Sequence, residues 1–359
     1  MRQVGRMVVA LQSVLGALGA NRIQRAAELA SANAAAPRRR SRRLLLLIHL
    51  GLVLTAVLIA LPRFGHFTPD SPRYVELALH FRGQIPITDL HLPFACRLLV
   101  PYLASLLPVA DVGLGIALVS LAFVILAYEA LYFYLREMGL SEAESWMGVA
   151  LALVSFPTFN YGSGVLTDAA GFCLLVVALT LLLRRCYLLL LLVSLLGVLA
   201  REASLSVPGI AAVVIGLEGW RTRDCRCVPW AFALVGACVG LCWFVRSQFA
   251  SLGDHFWMPS LLRITSNLAR PVSWATSGLT AGPLVLLAWA LRKKVLARVS
   301  SFDQRQRTLL VTITVFGSLL VLYSVSAAFM SGRFVWWTYV VVVPLVAGPA
   351  WEVAATRSW

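Results

Sequence analysis

The chain has 359 residues, of which 60% are hydrophobic and 13% charged, about half the charged share of a soluble globular protein. Apolar runs long enough to cross a bilayer recur from Leu44 onward, which excludes a soluble domain and indicates an all-α polytopic membrane protein. The formal net charge of +15 comes almost wholly from arginine, Lys293 and Lys294 being the lysines, and its dispersal over short loops argues for a membrane partner and against nucleic acid.

Residues 1–43 read as a separate cytoplasmic segment: an amphipathic stretch, an Ala-rich linker, and the cluster "PRRRSRR" from Pro37 to Arg43. That cluster suits anionic headgroups and would hold the N-terminus inside. A transmembrane domain is expected over 44–359. Its spans read as 44–62, 112–135, 146–159, 169–183, 187–200, 203–217, 229–249, 274–291, 309–330 and 336–352, about ten in all. The loops expected on the cytoplasmic side carry Arg184 and Arg185, then Arg221, Arg223 and Arg226, then the run from Arg292 to Arg307. The alternation leaves 63–111, 160–168, 201–202, 250–273 and 331–335 outside. Of the seven cysteines, Cys173, Cys238 and Cys242 fall in apolar runs and form no disulfide framework, and Cys225-x-Cys227 lacks partners at metal-ligand spacing.

The outer segments nonetheless retain Arg63, Arg73, Arg82, Arg97, Arg201, Arg263, Arg270 and Arg333, against the insertion bias. Some serve as headgroup anchors, and those at helix ends facing a cavity would meet an anion, for which a lipid phosphate is the obvious candidate. The richest such segment is "HFTPDSPRYVELALHFRG", His66–Gly83. Its Ser71 or Asp70 can cap a helix with Pro72 in the first turn. Tyr74, Leu77, Ala78 and Phe81 then form one apolar stripe, with Arg73, Glu76 and His80 opposite. Such a helix is expected to lie in the outer interface, stripe in the lipid. "CRLLVPYLASLLP" reads as a second interfacial or re-entrant helix with Arg97 near its start. Asp70 is either a simple cap or a general base whose pKa apolar surroundings would raise.

The order of these features resembles the GT-C superfamily of polytopic glycosyltransferases. D-x3-Y-x3-A followed by R-x-L-x-P falls on Asp70, Tyr74, Ala78, Arg97, Leu99 and Pro101. Further along, "FPTFNYGSGVLTDAAGF" is similar to the family's second outer loop, with Asp168 opening a span. "LAREASL" is similar to a short outer turn with a basic-acidic pair, here Arg201 and Glu202, and "SGRFVWWTYVVVVP" to a late R-[YF] motif with a following proline. One departure is Ser71, where many members carry a second acid after the first.

The resemblance implies an enzyme of the bacterial cytoplasmic membrane that moves one sugar from a polyprenyl phosphate to an acceptor at the outer face, with inversion. In that reading Asp70 is the base, and Arg73, Arg97, Arg201 and Arg333 hold the lipid phosphate. Tyr74, His91, Asp168 and Glu202 orient the sugar or acceptor. Each has a plainer role: a helix cap for Asp168, a mutually satisfied pair for Arg201 and Glu202, a headgroup anchor for Arg333. The histidines His66, His80, His91 and His255 match no metal signature, so no cofactor is expected, although a divalent ion bridging the phosphate fits the family. Trp257, Trp274, Trp336 and Trp337 read as an interfacial belt. A transporter or flippase of an anionic or lipid-linked substrate, and a non-catalytic scaffold, are the rival readings.

Overall fold

In the computed structural model, residues 38–223, 225–252, 258–327 and 330–357 are described. The N-terminal amphipathic stretch, His255 and Trp257 lie outside them. The described residues are helical, with no strand among them. Six helical stretches have the length and apolarity to cross a membrane, and the apolar helices at 47–63, 168–183 and 187–200 are shorter. This is a multi-pass helical membrane protein.

The first helix, α1, runs from Arg38 to Ala60. The arginines from Arg38 to Arg43 thus lie in the same helix as the start of the first expected span. The larger compact unit of the chain, Val53–Trp359, contains every candidate site residue. Within it, α2 (Ser71–Phe81) and α3 (Leu99–Ser105) precede the long α4 (Val112–Glu137). Asp111 caps α4 by accepting the Gly113 amide at 2.8 Å, which helps satisfy the free N–H groups of a helix start.

The expected span 146–159 is broken. Helix α5 (Glu142–Leu153) starts in a capping box of Ser141 and Glu144, and α6 (Phe156–Tyr161) restarts after Ser155 with Pro157 in its first turn. Proline supplies no amide for a continuing ladder, so a break here is its ordinary consequence. Then follow α7 (Asp168–Leu183), α8 (Tyr187–Ala200), α9 (Ser206–Thr222) and α10 (Val228–Gln248). The short α11 (Leu261–Leu268) leads into α12 (Pro271–Ala290), α13 (Arg292–Ser301), α14 (Gln304–Ser326) and α15 (Tyr339–Arg357).

Helix α4 packs along α7, α7 against α8, and α15 against α5 and α12, while α9 joins α10 to α14. The Tyr134 hydroxyl of α4 donates to the Val340 carbonyl at 2.8 Å, tying the first long span to the last. Gly148 permits the approach of α5 to both. A Cβ there would lie 2.6 Å from Leu135 and 2.9 Å from Val343.

Polar side chains gather at two separate ends of this bundle. At one, Arg184 pairs with Glu137 at 2.8 Å, Glu218 pairs with Arg185 and Arg305, and Arg221 bonds Thr308 at 3.1 Å. The loops read as one side of the membrane thus share one end. At the other end, the Ser163 hydroxyl donates to the Ala60 carbonyl at 3.0 Å, and Asn267 bonds the Val325 carbonyl and the Met330 amide.

The apolar stripe of α2 overturns its expected place in lipid. Tyr74, Leu77 and Ala78 are fully buried in protein, with Leu77 clustered among Leu90, Leu92, Cys96, Val245 and Phe249. The chain after Gly83 folds back across the stripe, and protein burial serves an apolar face as well as lipid does. One retained outer arginine has a structural task. Arg82 donates to the carbonyls of Ser105 and Leu107 at 3.2 and 3.0 Å, closing the end of α3.

Candidate functional site

Seven of the residues singled out in the sequence meet where α2, the turn before α3, α7, the α8–α9 turn and the 331–335 loop converge. Asp70 stands at the N-cap position of α2, but its side chain makes no capping bond. Its Oδ2 instead accepts from Arg333 Nη2 at 2.6 Å. Arg333 Nη1 lies 3.5 Å from Asp168 Oδ2, and the other oxygen of Asp168 pairs with Arg201. Carboxylate and guanidinium therefore alternate along one chain: Asp70, Arg333, Asp168, Arg201.

Glu202, the next residue, carries a second branch. Its Oε2 accepts from Arg97 Nε at 2.9 Å, and Arg97 Nη1 donates to the Tyr74 hydroxyl at 2.5 Å. Burial opposes the charge of Arg97, but the Glu202 carboxylate and the Tyr74 hydroxyl together outweigh that cost and raise the arginine's pKa, so it stays a cation. Glu202 Oε1 is buried without a hydrogen-bond partner. Three carboxylates and three guanidinium groups balance formally in this cluster.

The plain structural roles are thereby replaced. Asp168 is the first residue of α7 after the N-cap Thr167, yet its carboxylate serves two arginines and not the helix start. Arg201 and Glu202 do not satisfy each other, because each bonds a partner from a different segment. Extended backbone at Arg201, with φ −165° and ψ 135°, sends consecutive side chains in opposite directions. Arg333 is turned inward, its side chain only 19% exposed, and is no headgroup anchor.

Arg73 and His91 do not join this cluster. Arg73 Nη1 bonds Glu76 at 2.9 Å and His91 Nδ1 at 3.0 Å on the outward side of α2. Glu76, three residues further along the same face of α2, holds Arg73 there in an i,i+3 pair. His80 Nδ1 meets the Ile85 carbonyl at 3.0 Å. Among the described residues, no three His, Cys, Asp or Glu side chains come together as metal ligands.

A cavity of about 80 Å³ adjoins the ion chain, lined by Asp168, Arg201, Arg333, Phe172, Phe334 and Trp336 among others. Arg201 lies over the Phe334 ring at 5.0 Å, and Trp336 stacks on Phe172 at 4.7 Å. Trp336 is 3% exposed, so it belongs to this wall and not to an interfacial belt. The indole N–H groups of Trp336 and Trp337 and the Ser331 hydroxyl are buried and unbonded, leaving polar atoms beside the cavity. Sequence reasoning missed Phe172. Its one signal was the four-residue step from Asp168, which places both on one helix face.

Gly332 sets the position of Arg333. Its amide bonds Thr276 Oγ1 at 3.2 Å, and a Cβ there would lie 2.2 Å from Thr280 Oγ1 and 2.5 Å from the Thr276 carbonyl. The 331–335 loop is thus pressed onto α12, with Arg333 directed at the two aspartates.

Such a cluster can hold an anion, since guanidinium forks match phosphate oxygens in pairs and are more weakly hydrated than lysine. The carboxylates keep the forks aimed, and Asp70, 24% exposed, is the acid nearest solvent. Compared with known proteins, the chain matches no family model, and no curated protein matches it significantly.

Proposed function

We propose that the chain is a membrane glycosyltransferase of GT-C type, moving one sugar from a polyprenyl phosphate to an acceptor at the outer face of a bacterial cytoplasmic membrane. Ten crossings belong to this reading, as the six long helices, the three shorter ones and the broken α5–α6 pair would provide. The end with Arg184, Arg185, Arg221 and Arg305 faces the cytoplasm by the positive-inside rule.

The observation that carries the proposal is the convergence of Asp70, Arg97, Asp168, Arg201, Glu202 and Arg333 from segments up to 263 residues apart. Buried charge on this scale is costly even when paired, and its retention near a membrane points to function. In the reaction, the acceptor oxygen attacks the anomeric carbon while Asp70 takes its proton. The bond from that carbon to the donor phosphate breaks, its electron pair leaving with the phosphate oxygen. Arg333 and Arg201 stabilise the negative charge that develops there, with Arg97 holding Glu202 and Tyr74 behind them. A phosphate that engages Arg333 releases Asp70 from its ion pair, which makes the base available only when donor is bound. Arg73 and His91 take no part.

The formal neutrality of the cluster is also what a non-catalytic scaffold would contain, and one substitution separates the two. In proteoliposomes with a panel of polyprenyl-phosphate sugars, Asp70→Asn should bind a donor as the wild type does and lose at least a hundredfold in transfer, in the range of a general base. Full transfer by Asp70→Asn refutes the assignment of the base.

A further inference from the structure

A second cavity, lined mainly by polar and charged residues, lies at the opposite end of the bundle, between α9 and α14. It measures about 260 Å³ and is lined by Val214, Glu218, Arg221, Thr222, Gln304, Arg305 and Thr308. A cavity of about 150 Å³ already admits a benzene-sized guest, so there is room for a phosphate and part of what it esterifies. The reading of the catalytic end makes no use of this site.

Its chemistry is that of an anion site. Arg305 is largely buried, 13% exposed, and is held from behind by Glu218 at 2.8 Å and by the Leu182 carbonyl at 2.5 Å. Its Nε–H is buried and has no partner. Arg221 is exposed and is positioned by the Thr308 hydroxyl at 3.1 Å. Glu218, which also pairs with Arg185 at the rim, is the one carboxylate among these three guanidinium groups, so the site keeps an excess positive charge. The cavity also opens at the first turn of α14, where Gln304 and Arg305 line it.

The surface below the cavity names the source of that anion. On α9, Leu217 and Val213 are exposed one and two turns deeper, and Trp220 beside Arg221 is 84% exposed. On α14, Val311, Val315 and Leu319 continue the line from Thr308, each more than half exposed. An exposed tryptophan marks the headgroup level of a bilayer, and two bare apolar stripes descending from a cationic pocket suit acyl chains beneath a headgroup. We infer that this cavity binds the phosphate headgroup of an anionic phospholipid, with its acyl chains along the exposed faces of α9 and α14. Basic pockets between helices on the cytoplasmic side recognise lipid phosphates in this manner.

The test uses the full chain in detergent, titrated with phosphatidylglycerol, phosphatidylcholine or inorganic phosphate, and read by native mass spectrometry. Phosphatidylglycerol should be retained at least tenfold more tightly than phosphatidylcholine. Arg221→Gln should abolish that preference. Thr308→Phe, which fills the cavity and leaves every charge in place, should abolish it too. Arg292→Gln, an exposed cation at the same end and outside the cavity, should leave it intact. Equal weakening by Arg221→Gln and Arg292→Gln, or unchanged binding to Thr308→Phe, would mean diffuse charge attraction and overturn the site. Inorganic phosphate binding as tightly as phosphatidylglycerol would overturn the lipid assignment.

Discussion

Asp168 is the residue on which the ion chain depends most, and its removal has a calculable cost. Its side chain is 2% exposed and joins Arg201, 12% exposed, to Arg333, 19% exposed. Taking one partner from a buried ion pair costs about 3–5 kcal/mol, because the remaining charge is left uncompensated. Arg333 would keep Asp70 at 2.6 Å, whereas Arg201 would keep only the Phe334 ring. Asp168→Ala should therefore destabilise by about 4 kcal/mol, most of it through Arg201. Asp70→Ala, whose carboxylate is partly solvated, should cost about 1–2 kcal/mol. The assay is equilibrium unfolding in mixed micelles of wild type, Asp168→Ala, Arg201→Ala and the double variant. The double variant should be more stable than the sum of the singles by about 2 kcal/mol, as expected of directly coupled residues. Strict additivity, or a cost below about 1 kcal/mol for Asp168→Ala, would refute a buried, energetically coupled chain.

Two further outcomes follow from close packing and from thiol burial. Gly332→Ala must move either Thr280 or the loop, since the added carbon would lie 2.2 Å from Thr280 Oγ1. It should cost about 1–3 kcal/mol in thermal unfolding and lower transfer activity by displacing Arg333; unaltered stability and activity would remove Gly332 from the account. Burial pushes the Cys96 thiol up to about 11, so at pH 8 only about one in a thousand is thiolate. Cys186 is exposed at the arginine-rich end. A maleimide should label Cys186 in folded protein and Cys96 only after unfolding. In sealed right-side-out vesicles an impermeant maleimide should miss Cys186, and labelling there would invert the proposed topology.

Composition and hydropathy alone established a multi-pass helical membrane protein, because a bilayer leaves helices as the simplest way to bury backbone polar groups in so apolar a chain. The alternation of arginine-rich loops likewise sorted the polar residues into the two ends that the structure displays. Local chemistry was legible too: Asp70 at the start of α2, Asp168 at the start of α7 and Arg201–Glu202 in a turn were each marked by a charge where an apolar run ends. What each charge touches was not legible. A carboxylate at a helix start caps that helix unless a stronger partner arrives, and for Asp70 the partner comes from Arg333, 263 positions away. The same competition carried Arg73 to Glu76 and His91 and drew Trp336 from the expected interface into the cavity wall. Nor could the stripe of α2 reveal whether lipid or protein would cover it, since both offer the same escape from water. Sequence periodicity specifies that a face is apolar and that a residue is charged. The tertiary fold decides which neighbour satisfies it, because ion pairs and packing depend on separations in space that are not encoded in separations along the chain.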